Sequence, residues 1–177
     1  YNAIKVAKPP VDAMLMANYP NCLVRTYGED VGLPAGTMGN SEVGHNAMGC
    51  GRVFSQGAKL VANSIETKAM YEGDTWKKLI RNVREHDSTL HFIGLLSDGN
   101  VHSHIDNLKA MVAQAKVEGV SRVRVHALLD GRDVGELSAL EYFQPFEAFL
   151  EELNDEDFDA RIASGGGRMV ITMDRYN

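Results

Sequence analysis

The chain has 177 residues and a formal net charge of −6 at pH 7, with 44% hydrophobic and 24% charged residues. That length suits one domain, or one domain and part of another, and the composition is that of a folded protein. The acidic balance argues against binding nucleic acid through its backbone, and no apolar run approaches the ~20 residues of a membrane span.

Val11–Ala17 reads as a short helix and Cys22–Thr26 as a short strand. Four glycines and one proline mark 27–40 as a loop. From Ser41 the composition turns helical, with Gly49 and Gly51 as interruptions, and Val53–Ala62 reads as further helix. Residues 63–88 are polar and helical around Trp76–Arg84. A different rhythm follows. Leu90–Leu96, the valine-rich Arg122–Leu129 and Ala160–Ser164 read as strands. Ile105–Val117 and Ser138–Leu153 read as helices between them, the second with Ser138 as N-cap and Pro145 as an expected kink or break. The order β-α-β-α-β predicts a parallel sheet. The change of character near residues 55–65 suggests a domain boundary there.

Isolated residues mostly have structural readings. Cys22 and Cys50 fit no metal or disulfide spacing and are expected to be reduced, buried thiols. His91 and His126 fall inside strands and are expected to be packed histidines. Arg122 and Arg124 alternate along a strand, as on a solvated or salt-bridged face.

In a parallel α/β sheet, ligands bind beyond the carboxyl ends of the strands. The three segments that leave those ends are Ser97-Asp98-Gly99-Asn100-Val101-His102-Ser103-His104, Asp130-Gly131-Arg132-Asp133 and Gly165-Gly166-Gly167-Arg168. They are expected to meet around one crevice. Arginine presents a planar fork of donors to carboxylate and phosphate oxygens, so Arg132, Arg168 and Arg175 would suit a small polyanion. Asp133 could transfer a proton, or simply pair with an arginine; His102 could bind phosphate, act as acid or base, or open a helix. Ser41 has two readings as well. It is either an N-cap, or a nucleophile at a helix N-terminus where free N–H groups favour a phosphoserine dianion. No Gly-x-Ser-x-Gly elbow supports a serine hydrolase, which leaves metal activation.

Met38-Gly39-Asn40-Ser41-Glu42-Val43-Gly44-His45-Asn46 resembles the cofactor-independent phosphoglycerate mutases, members of the alkaline-phosphatase-like metalloenzymes. The likeness continues at Leu95–Ser103, at Asp130-Gly131-Arg132-Asp133, at Ala163–Arg168 and at Met173-Asp174-Arg175-Tyr176. It implies an α/β protein in which residues 1–60 belong to a metal-binding phosphatase-like domain and residues 61–177 to a phosphotransferase domain that holds the substrate. It further implies Ser41 as phosphoryl acceptor and metal ligand, Asp133 as proton-transfer group, and His102, Arg132, Asp133, Arg168 and Arg175 as substrate residues. Two Mn2+ or Mg2+ ions, no need for 2,3-bisphosphoglycerate, a phosphoglycerate substrate, a monomer and a cytoplasmic location are implied too. The chain departs from the family at Asn100, where glycine is usual. Ser41 is the one family metal ligand present, and both ends read as cut, so a fragment inactive by itself is expected. The alternatives are a related metal-dependent phosphatase or phosphopentomutase, and a non-catalytic phosphoglycerate-binding remnant.

Overall fold

A computed structural model describes residues 2–172. Two short helices, α1 (Ala3–Ala7) and α2 (Pro10–Asn18), lead into an irregular segment with a 3-10 turn at Gly28–Val31. Helices α3 (Ser41–Cys50), α4 (Gly57–Glu66), α5 (Ala69–Glu72) and α6 (Asp74–Glu85) follow. Then come β1 (Leu90–Leu96), α7 (Ile105–Val117), β2 (Arg122–Leu129), α8 (Ala139–Leu153), β3 (Asp159–Gly167) and the short α9 (Arg168–Ile171).

The three strands are parallel in the order β1-β2-β3. Both crossovers step the same way across the sheet, and crossovers share one hand, so α7 and α8 pack on one face. That face carries Leu90, Val123, Val125, Ala127 and Ala160. Against it α7 buries Ile105, Val112 and Ala115, α8 buries Phe146 and Leu150, and α6 adds Trp76, Ile80 and Val83, a run at helical spacing. A smaller cluster of Val31, Leu33 and Val43 seats the 3-10 turn under α3.

β1, β2 and α7 have the expected bounds. Elsewhere the structure corrects the expectation. Cys22–Thr26 forms no strand: Leu23 and Val24 are 100% and 74% exposed, and a strand needs a neighbour to satisfy its backbone. The helix expected from Val53 begins at Gly57: its N-cap Gln56 is extended, and the Gln56 N–H donates to Gly32 O at 2.8 Å. Pro145 does not divide α8. It lies on the exposed side, while its neighbour Phe146 and Leu150 anchor the helix in the core. Ser138 is the N-cap by position, but its hydroxyl donates back to Gly135 O at 2.7 Å instead of capping. The glycine triplet is strand, since Gly165, Gly166 and Gly167 pair with Ala127, Leu128 and Leu129. A Cβ at Gly165 would sit 2.6 Å from Ala127 O, so the close pairing depends on glycine there.

His91 and His126 are not packed in the core. They stack on the face of the sheet opposite the helices, with Nδ1 of His91 2.9 Å from Nε2 of His126, whose Nδ1 lies 2.7 Å from Ser164 Oγ. Parity explains this: they share the register face of Arg124, opposite to that of Val123 and Val125. Cys22 and Cys50 are free but exposed, one in the unpaired segment and one at the last residue of α3.

Candidate active site

The parallel sheet brings the ends of β1, β2 and β3 to one edge, where a buried polar cluster forms. The Ser97 hydroxyl donates to Asp130 Oδ2 at 2.6 Å. Asp130 Oδ1 accepts from Arg168 Nη1 at 2.8 Å and from the backbone N–H groups of Arg132 at 3.1 Å and Asp133 at 3.0 Å. Three of these four bonds converge on Oδ1 and one ends on Oδ2. Burial pushes the Asp130 carboxyl upward, but the Ser97 hydroxyl, the Asp133 N–H, the Arg168 guanidinium and the Arg132 N–H outweigh it and hold the pKa at about 2.

Arg168 is itself buried and also donates to Asp133 Oδ2 at 2.6 Å, so one nitrogen bridges two carboxylates. Burial alone would lower its pKa; the hydrogen bonds it donates to Asp133 and Asp130 raise it. Asp133 is half-buried and has His102 Nε2 3.9 Å from its Oδ2, with that imidazole largely exposed. Arg132 is exposed beside it. The β1 and β2 loops are in tight contact: a Cβ on Gly99 would meet Asp133 Cβ at 2.9 Å. Asn100, the departure from glycine, has φ +53°, a left-handed conformation that asparagine tolerates better than most residues. Tyr142 on α8 donates to Asp98 Oδ1 at 2.7 Å, and that bond, with burial second, pushes the phenol up to about 12.

The serine segment approaches the same edge. Asn40, not Ser41, is the N-cap of α3, its Oδ1 accepting from the Val43 N–H at 3.1 Å. Ser41 is therefore the first helical residue, at the end where backbone N–H groups favour an anion. His45 Nδ1 lies 2.6 Å from Ser41 O and 3.1 Å from Ser41 Oγ. A carbonyl only accepts, so Nδ1 carries the hydrogen and does not take the serine proton. A cleft of about 300 Å³ runs between Met38, Asn40 and Glu42 on one side and Asn100, Val101 and Asp133 on the other. Ser41 borders the adjoining depression with Asn40 and His45.

The structure thus gathers His102, Arg132, Asp133 and Arg168, and sets Ser41 one depression away. Arg175 lies outside the described residues. Asp130 and Ser97 were missed as individuals, although an acidic residue directly after a buried strand was the available signal. Among the described residues no three of His, Cys, Asp or Glu come together as a metal site requires. The donors present among the described residues therefore do not by themselves fit the two ions that the resemblance implies.

Fold and cluster together define an α/β protein whose sheet edge presents an arginine–carboxylate site beside a serine at a helix N-terminus. The family model described as BPG-independent PGAM N-terminus matches residues 61–177, and the chain belongs to that family. It is 54% identical over 176 residues to the "Probable 2,3-bisphosphoglycerate-independent phosphoglycerate mutase" of Leptospira interrogans serovar Lai, covering 99% of this chain and 32% of that one. It is 48% identical over 179 residues to the Nicotiana tabacum 2,3-bisphosphoglycerate-independent phosphoglycerate mutase, with the same coverage of 99% and 32%. A crystal structure of Leishmania mexicana phosphoglycerate mutase at low cobalt concentration superposes with a TM-score of 0.85 at 47% identity, over 94% of this chain and 31% of that one. The chain thus spans about a third of the length of these relatives.

Proposed function

We propose that these residues serve the interconversion of 3-phosphoglycerate and 2-phosphoglycerate through a phosphoserine at Ser41, without 2,3-bisphosphoglycerate. The observation that carries the reading is the buried Arg168 bridging Asp130 and Asp133 at the edge of the cleft shared with the serine segment. In this reading Arg132, Arg168 and His102, with Arg175, hold the phosphate and carboxylate of the substrate. Ser41 reacts as its deprotonated oxygen: the Oγ–P bond forms as the P–O3 bond breaks, glycerate reorients, and the O2–P bond forms as the P–Oγ bond breaks and restores the deprotonated Ser41. Asp133 supplies the proton that O3 gains and takes the one that O2 loses. Exclusion of water protects the phosphoserine, whose hydrolysis is the competing outcome.

The reading divides the chain after residue 60. The serine segment belongs to a metal-holding phosphatase-like unit, and the sheet with its helices to a phosphotransferase unit. Manganese or magnesium would be completed by ligands other than these described residues, with Ser41 as the contribution from this chain. A glycolytic role, a cytoplasmic setting and a monomer accompany the reading. The test is turnover of 3-phosphoglycerate by a polypeptide of the relatives' full length carrying these residues, with manganese and no bisphosphoglycerate. Release of inorganic phosphate in place of 2-phosphoglycerate would show a phosphatase; binding without turnover would show a non-catalytic remnant.

A further inference from the structure

We propose that Asp130 is a positioning residue of this site: it sets Arg168 and the Arg132–Asp133 turn in the places from which they meet the substrate. The inference rests on the phosphoglycerate reading above and adds a residue to which that reading gives no role.

The connectivity carries the argument. Asp130 is buried at the end of a central strand and cannot reach a ligand in the cleft, so it is not itself a contact residue. Each of its four bonds ends on something that matters for the site. Ser97 ties it to the end of β1. The N–H groups of Arg132 and Asp133 close the turn that aims both of those side chains. Arg168 Nη1 ties it to the end of β3.

The shared guanidinium is the decisive feature. Arg168 Nη1 is 2.8 Å from Asp130 and 2.6 Å from Asp133. Asp130 is held on all sides, whereas Asp133 opens on the cleft. The fixed carboxylate therefore sets where the guanidinium sits. It also shares the positive charge, so that Asp133 is not left with a whole cation to itself. Removing the charge of Asp130 gives Arg168 wholly to Asp133 and frees its orientation. The groups that face Asp133 are Asp130, Arg168, the neighbouring Arg132, His102 from the β1 loop and Glu42 across the cleft. Of these, Asp130 alone is a buried anion.

The experiment compares Asp130→Asn with the parent in a polypeptide of the relatives' full length, with folding checked by circular dichroism and the thermal midpoint. Asparagine keeps the shape and one acceptor oxygen but not the charge. The expected result is a KM for 3-phosphoglycerate raised about tenfold or more. kcat is expected to fall less than KM rises, because the loss is one of substrate positioning. A lower midpoint with unchanged KM would show a brace only and overturn the proposal. If Asp130→Asn does not fold, a crystal structure of the parent with bound 3-phosphoglycerate decides. Arg168 should contact the ligand while still held by Asp130, and an Arg168 swung away from Asp130 overturns the role. A parent that binds 3-phosphoglycerate without turnover, with weaker binding in the variant, removes the mutase reading and keeps Asp130; unchanged binding in the variant removes both. A parent with neither binding nor turnover also overturns both.

Discussion

The Ser97 hydroxyl donates to Asp130 Oδ2 at 2.6 Å inside the protein and joins the carboxyl ends of two adjacent strands. Both residues are buried, so no water replaces the bond when one partner is removed. Ser97→Ala is expected to cost about 2 kcal/mol, the range for a hydrogen bond to a charged group. Denaturant unfolding of the parent and variant measures it; a change within ±0.5 kcal/mol would show that the bond contributes nothing net.

The depressed Asp130 carboxyl has a consequence for acid stability. Its pKa falls from 3.8 to about 2 on folding, so the unfolded chain takes up the proton first as pH drops. The stabilisation is present above pH ~4 and is lost as pH falls through about 2, amounting to roughly 2 kcal/mol. Unfolding free energy measured from pH 5 to pH 2 should show this slope in the parent and a flatter one in Asp130→Asn.

On the proposed phosphoserine reading, Ser41→Ala in a polypeptide of the relatives' full length should lower mutase turnover by at least about a thousandfold, because a covalent nucleophile has no substitute. Binding of 3-phosphoglycerate, read by calorimetry, should change by no more than a few-fold, since the arginines lie on the other segment. Asn40→Ala differs in kind. It removes the cap bond to Val43 and should cost about 1 kcal/mol of stability.

Gly39 has its backbone pressed against that of Thr26: a Cβ there would lie 1.7 Å from Thr26 O. Gly39→Ala must displace the segment that leads into Ser41. Overpacking of this kind costs about 1–3 kcal/mol, and the variant should lose activity even where it still folds. Turnover at wild-type level in a folded Gly39→Ala protein would show that this approach does not position the serine.

Asn100 occupies a left-handed conformation at φ +53°. Asn100→Gly should leave stability unchanged or raise it by up to about 1 kcal/mol, while Asn100→Val should lower it by about 1–2 kcal/mol. Thermal unfolding of the two variants separates backbone geometry from any role of the amide.

Local pattern by itself determined the α/β core. The apolar run Leu90–Leu96, the valine-rich Arg122–Leu129 and the periodic face of Ile105–Val117 are properties of neighbouring residues, and the structure keeps their bounds. The loops that follow the strands were legible for the same reason, because a parallel order sends them to one edge. Tertiary structure alone decided where pairing and burial depend on distant residues. Cys22–Thr26 has strand composition but no neighbour to pair with, and the glycine triplet has loop composition but finds Ala127–Leu129 alongside it. His91 and His126 face away from the helices through strand parity, which composition does not show. Asp130 is the sharpest case. In the sequence it is an ordinary acidic residue in a turn, and only the packing of three strand ends gives it four hydrogen bonds and joins it to Arg168.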